Sequence, residues 1–260
     1  MRAPLAALCV LLHACSSGSV VTRGGGASIA AAQAQPAVGG KYRVMVGAII
    51  DKTDPLKDQS LTQQLQEINA GRSDVAQLQP DAILRGVQDL LVTELFSVNN
   101  FVVLERAALN EVVSEQEFSS SARAGDQTRI PKGGLEGAEL IVVGALTAFD
   151  AGASGGALPL PIPLGNRGDF GVLKLAFARG YVAMDLRVID ARTARVLSSV
   201  AVTGRNTRFG LDFGVFLNRG NGSIRLPGAL TYFNNTPVEK ALQEMVTAAV
   251  THIVQRTPAH

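Results

Sequence analysis

The chain has 260 residues, a formal net charge of +2, 47% hydrophobic residues, 5% aromatic residues and no Trp. Its Lys and Arg are scattered, so no basic stripe marks a nucleic-acid partner. No apolar run approaches the ~20 residues of a transmembrane helix, and the length suits one or two domains.

The N-terminus has the layout of a targeting segment, with Arg2 ahead of the short apolar run from Leu5 to Leu12. Leu12-His13-Ala14-Cys15 resembles a bacterial lipobox, from which His13 departs. This predicts a signal peptide over 1–14 and Cys15 as the lipidated first residue, with Ser16 compatible with outer-membrane sorting. The alternative is a plain cleaved signal ending near Ala34. Either processing leaves no pair of cysteines, hence no intrachain disulfide. Residues 15–40, rich in Ser, Gly, Ala and Gln, form a flexible tether. Such a coil spans roughly 25–30 Å on average.

The folded body is expected over 41–256, with a tail at 257–260. Tyr42 to Ile50 has the pattern of a buried strand. Asp51 to Gln79 is polar and far longer than a usual connection, although Leu61, Leu65 and Ile68 are spaced like a short helical turn. A helix opens at Pro80-Asp81 and runs to about Ser97, with Ile83, Leu84, Val87, Leu90, Leu91 and Leu95 on one face. Phe101 to Leu104 is a short strand. Glu105 to Phe118 is a second helix that should turn Leu109, Val112 and Val113 inward, with Glu105-Arg106 as an ion pair at its start. Glu139 to Ala148 is a buried strand. Thr236 and Glu239 match a capping box, Pro237 suits the first helical position, and Val238, Leu242, Met245, Ala249 and Ile253 give the last helix its packing face. The order β-α-β-α-β, hairpin, α predicts an α+β domain in two layers.

Two inserted stretches, at about 150–181 and 205–233, have a different character. In the first, Leu158, Leu160, Ile162 and Leu164 share one parity, with prolines between them. After a turn at 165–169, Leu173, Leu175 and Phe177 alternate with Lys174, Ala176 and Ala178. Tyr181 to Asp190 and Arg195 to Thr203 form an ordinary hairpin. From Thr207, Phe209, Leu211, Phe213, Val215 and Leu217 occupy one parity, and Arg208, Gly210, Asp212 and Gly214 the other. A polar turn at 218–222 precedes Ile224, Leu226, Leu230 and Tyr232, and Phe170, Tyr181, Tyr232 and Phe233 lie near the run ends like interfacial girdles. Successive strand residues point to opposite faces, and ~9–11 residues is the length of a membrane-spanning strand. A half-buried soluble hairpin gives the same alternation. On the membrane reading, Leu173, Leu175, Phe177, Phe209, Leu211, Phe213, Val215 and Leu217 face lipid, and Lys174, Arg208 and Asp212 face the lumen.

No catalytic constellation is expected. His13, His252 and His260 form no cluster, no Gly-rich phosphate loop stands between a strand and a helix, and Glu111 and Glu115 suit a solvated helix face better than a metal site. Neither a cofactor nor a metal is expected.

Val103-Leu104-Glu105-Arg106 followed by Leu109, then Arg129-Ile130-Pro131, Asp185 to Asp190, Leu197-Ser198-Ser199 and Thr236-Pro237-Val238 together resemble the curli-secretion lipoprotein family of the CsgG type. The resemblance covers most of Lys41 to Val254. It implies a lipid-anchored outer-membrane channel without enzymatic activity. Its periplasmic α+β domains form a homo-oligomeric ring, and each copy lends two transmembrane β-hairpins to a shared barrel. It further implies secreted adhesin or fibre subunits as partners, of a curli or a holdfast-anchoring type, and a constriction built by the loop after the first strand. That loop lacks aromatics here, so Gln63, Gln64, Leu65 and Asn69 are the candidates. Closure argues independently for an oligomer, because a bilayer strand cannot keep an open edge. A barrel of about 36 strands at four per copy takes about nine copies, matching the ring that the resemblance implies. The alternative is a monomeric outer-membrane lipoprotein that regulates a periplasmic enzyme, resembling the penicillin-binding-protein activators.

Overall fold

The computed structural model describes residues 29–34, 40–54, 60–70, 77–151, 156–164, 169–212, 230, 233 and 236–257, with 156–164, 169–178 and 208–212 described by their backbone pairing alone. The strands are β1 (Tyr42–Asp51), β2 (Phe101–Val103), β3 (Leu140–Asp150), β4 (Gly156–Leu164), β5 (Asp169–Asp190) and β6 (Val196–Asp212). The helices are α1 (Ile29–Gln33), α2 (Leu61–Ala70), α3 (Pro80–Ser97), α4 (Leu109–Ser119) and α5 (Pro237–Arg256), with a 3-10 turn at Asp126–Thr128.

All six strands join one mixed sheet. β2 and β3 flank β1 in parallel, and β3 pairs antiparallel with β5 from Leu140↔Asp190 to Asp150↔Tyr181. β5 continues beyond the end of β3, where β4 takes its place from Gly156↔Phe177 to Leu164↔Asp169. β6 lies along the other side of β5. The body is therefore β2-β1-β3-β5-β6, and the extension is β4-β5-β6.

Helices cover one face of the body. The buried strand residues facing them are Val44 and Val46 on β1, Leu140, Val142 and Leu146 on β3, Val182, Met184 and Leu186 on β5, and Val202 on β6. The expected faces of α3 and α5 both supply the other half of this core: Ile83, Val87, Leu91 and Leu95 from one, and Val238, Leu242, Met245, Ala249 and Ile253 from the other. Burial of each such side chain is worth roughly 1.5–3 kcal/mol. The long polar segment holds a full helix, α2, which anchors through buried Leu61 and Leu65.

Several sequence expectations are corrected. α4 forms, but Val112 and Val113 are 39% and 37% exposed rather than inward, and only Ser119 of the helix is buried. Glu105 and Arg106 make no ion pair: Glu105 Oε1 accepts the Ala107 and Ala108 N–H groups, and Arg106 Nη2 donates to the Glu136 carbonyl at 2.6 Å. The nearby ion pair is Arg43 Nη2 to Glu139 Oε1 at 3.1 Å, which ties the starts of β1 and β3. Pro237 does open α5, yet Thr236 makes no side-chain cap; its hydroxyl donates back to the Phe233 carbonyl. Phe233 and Leu230 are core residues of the body, with the Phe233 ring edge-on to Phe149 at 5.4 Å, so neither belongs to an interfacial girdle or a spanning run. Tyr181 lies half-buried with the Arg205 guanidinium 5.0 Å from its ring centroid.

Two strand glycines allow α5 to lie against the sheet backbone to backbone. A Cβ on Gly204 would sit 1.7 Å from the Ala241 carbonyl oxygen, and one on Gly180 would sit 2.5 Å from the Pro237 carbonyl carbon. Gly204→Ala should therefore lift α5 off β6 and cost about 1–3 kcal/mol. A thermal melt should show Tm falling by about 2–4 °C per kcal/mol, whereas Gly134→Ala, with nothing within 4 Å of its built Cβ, should melt like wild type.

The β5–β6 turn is closed by Asp190, whose carboxylate accepts the Arg192 and Thr193 N–H groups at 2.8 and 2.9 Å. The Thr193 N–H, then the Arg192 N–H, hold its pKa below the usual 3.8. A depressed folded pKa means that this contribution is present above the unfolded pKa and is lost as pH falls through the lower folded value. Carboxyl carbon NMR should show Asp190 titrating with its midpoint below 3.8; a midpoint above it would contradict the turn.

Candidate functional site

β5 and β6 are the two elements that leave the body. They are 22 and 17 residues long, and they stay in one register from Lys174↔Asp212 to Val188↔Ser198. Without a bulge along that length, residue parity fixes the face throughout. In the body the even residues Val182, Met184 and Leu186 meet the helices, while Asp185 and Arg187 on the odd parity are exposed. In the extension the large apolar residues are odd: Leu173, Leu175 and Phe177 on β5, and Phe209 and Leu211 on β6. The apolar parity thus changes between the body and the extension. The change falls at rungs Gly180↔Asn206 and Val182↔Gly204, where α5 begins.

The register brings these residues together across all three strands. Leu158 pairs with Leu175 and Leu160 with Leu173, while Leu175 pairs with Leu211 and Phe177 with Phe209. The opposite parity carries Lys174 directly across from Asp212, Ala176 from Gly210, and Ala178 from Arg208. This cross-strand match was not read from the sequence, because it depends on the offset between strands. The signal that could have located the change of face is a pair of glycines inside otherwise strong strands. Phe213, Val215, Leu217 and Cys15 lie outside the described residues.

Of the candidate constriction residues, three have structural partners. Gln64 is buried and its Oε1 accepts the Ala151 N–H at 3.2 Å, tying α2 to the end of β3 where the extension starts. Leu65 is a core residue at 2% exposure. Asn69 brackets Leu78 with two 2.9 Å hydrogen bonds. Gln63 is half-buried beside the exposed Thr62, Gln66 and Glu67.

The titratable groups assemble no reaction centre among the described residues. His252 Nε2 stands 3.2 Å from Ser198 Oγ, and no carboxylate is hydrogen-bonded to the ring among the described residues. Asp89 is raised above its usual pKa by burial first and by the Glu105 charge second, with Arg85 opposing. No group of three or more His, Cys, Asp or Glu residues is placed to hold a metal among the described residues. No described helix is long and apolar enough to cross a membrane, which leaves strands unaddressed.

The fold is a mixed α+β sheet with helices on one face and a strand pair that outruns them. A family model described as "Curli production assembly/transport component CsgG" matches residues 26–259. The chain belongs to that family. Proteins of the same description from Escherichia coli K12, Salmonella typhimurium and Citrobacter koseri are each 25% identical over 178 residues, covering 66% of this chain. The match takes in 61% of those relatives' own length. Among solved structures, a PelC dodecamer from Paraburkholderia phytofirmans covers 83% of this chain and 91% of its own at 11% identity and a TM-score of 0.31. The hypothetical protein CT253 from Chlamydia trachomatis covers 83% and 97% at 13% identity and a TM-score of 0.39. Likenesses this distant carry nothing about function or assembly.

The anchoring of α2 is testable. Gln64→Leu removes the acceptor for the Ala151 N–H and should cost about 1–3 kcal/mol. Gln63→Leu, at the half-buried neighbour, should leave the denaturant midpoint unchanged; equal losses would contradict the distinct roles of the two glutamines.

Proposed function

We propose that the chain is a subunit of an outer-membrane secretion channel for extracellular adhesive fibre subunits, of a curli-like or holdfast type. The observation that carries this reading is the reversal of the apolar face where α5 begins. Below that line the apolar side meets helices. Above it, the other side bears Leu173, Leu175, Phe177, Phe209 and Leu211 in register, with no described helix to cover them. Each large apolar group left in water forgoes roughly 1.5–3 kcal/mol, so the extension calls for an apolar surround, and lipid supplies one. Lys174, Arg208 and Asp212 then line the lumen, and Phe213, Val215 and Leu217 continue the lipid-facing set. Cys15 is the lipid anchor, with the α+β body in the periplasm. The chain acts without chemistry of its own. The exposed side of α2, next to the root of the extension, narrows the channel through Gln63, Gln66 and Glu67.

Strands in a bilayer need closed edges, and one copy supplies too few to close. Copies therefore combine into a ring, of about nine by the family's precedent and the largest known barrel. The relatives' description as curli assembly and transport components supports this class of cargo.

One observation favours the second reading, a monomeric lipoprotein that regulates a periplasmic enzyme. β4 carries Pro159, Pro161 and Pro163 on one parity. Since only the intervening residues can donate to β5, the outer edge of β4 offers carbonyls and no N–H groups over that stretch, which discourages strand addition there.

Arginine substitution separates the two readings. Leu211→Arg should cost about 2–4 kcal/mol if that site meets the bilayer midplane, and it should reduce the assembled material extracted from outer membranes. Gly210→Arg, on the lumen parity, should assemble and change single-channel conductance in planar bilayers. If neither variant changes assembly or conductance and wild type forms no pores, the regulator reading replaces the channel.

A further inference from the structure

Two exposed apolar surfaces follow opposite edge strands of the body. One is on α4, where the adjacent Val112 and Val113 are 39% and 37% exposed. The same helix carries Glu111, Glu115 and Glu117, all exposed, and no basic residue. On the other edge the β5–β6 turn enters β6 through Val196 and Leu197, 55% and 56% exposed, among the exposed Arg187, Arg192 and Arg195. The nearby Asp190 carboxylate is taken up by the amides of its own turn.

Topology fixes where the segments that carry them leave the sheet. α4 follows β2, the outermost strand on one side, and the turn leads into β6, the outermost strand on the other. Val103 pairs with Val44, Val44 with Leu140, and Leu140 with Asp190. The exit from β2 and the β5–β6 turn therefore share one rung across the whole sheet, at the end remote from β4. A sideways step from one copy to the next sets the β2 exit of one beside the β5–β6 turn of the other.

We propose that a second copy of this chain is the occupant: α4 of one copy docks on the β5–β6 turn of its neighbour, apolar centre to apolar centre, with the α4 glutamates against the turn arginines. The inference rests on the side-by-side assembly proposed above and says which periplasmic surfaces hold it. Charge complementarity selects the neighbour's turn as the site. Two different surfaces meeting head to tail repeat from copy to copy and generate a ring when the rotation closes.

The test uses full-length protein extracted from outer membranes in detergent and sized by chromatography. Glu115→Arg and Arg195→Glu should each reduce the assembled fraction by about tenfold or more, the order expected for coupling of a close charge pair. The double variant should restore it. Both positions are exposed, and an unchanged melting curve for each variant shows that the fold is intact. Val113→Cys combined with Leu197→Cys should give a disulfide ladder extending past the dimer on oxidation, absent from either single variant. An assembled wild type with no ladder and no response to charge reversal overturns this interface while leaving the channel reading in place. A product that stops at the dimer overturns the head-to-tail geometry, and one confined to a single chain overturns the second copy as occupant. A monomeric wild type removes the assembly reading, and this interface with it.

Discussion

The structure depends on one constraint, the unbroken register of β5 against β6. Between Lys174↔Asp212 and Val188↔Ser198 the pair admits no bulge, so a residue's parity decides its face from one end to the other. Two sequence patterns are written onto this single ladder. The even parity is apolar where α5 lies on it and small or charged beyond; the odd parity is the reverse. α5 marks the boundary because Gly180 and Gly204 let its first turns sit directly on the strand backbone. A one-residue insertion in either strand between these regions would restore a single apolar face and defeat the arrangement.

The body's other features serve to hold that ladder. Arg43 and Glu139 lock the parallel strands at one end, and Gln64 ties α2 to Ala151 at the other, where β3 ends and the extension begins. Phe233, just ahead of α5, packs in the core against Phe149. The extension is thus rooted at both ends in packed, hydrogen-bonded groups, which is what a projecting β-structure requires to keep a fixed orientation.

Much of this was legible in the sequence, and the failures have identifiable causes. α3 and α5 were readable because their helical periodicity agrees with the face that the sheet covers; Val238, Leu242, Met245, Ala249 and Ile253 are all buried as their spacing implied. The alternation of Leu173, Leu175, Phe177, Phe209 and Leu211 was readable too. Its reversal relative to Val182 and Met184 was not, since it exists only once the two stretches are known to be one strand. α4 misled because Val112 and Val113 obey the rule for a core-facing helix although both are exposed. Gln64 and Asn69 looked like polar loop residues free for a pore, and their hydrogen bonds to Ala151 and Leu78 are long-range or loop-specific facts that spacing does not encode. Leu230 fitted the alternating pattern of the run before it, and tertiary packing overrode that pattern.

The face reversal is tested most directly by thiol accessibility along β6 in assembled protein in native membranes. Single cysteines at positions 208, 210 and 212 should react with a membrane-impermeant, water-soluble thiol reagent admitted to the lumen, and cysteines at 209 and 211 should not. Alternation of that sense is what one register and two environments require. Uniform reactivity at all five positions, or alternation of the opposite sense, would contradict the account.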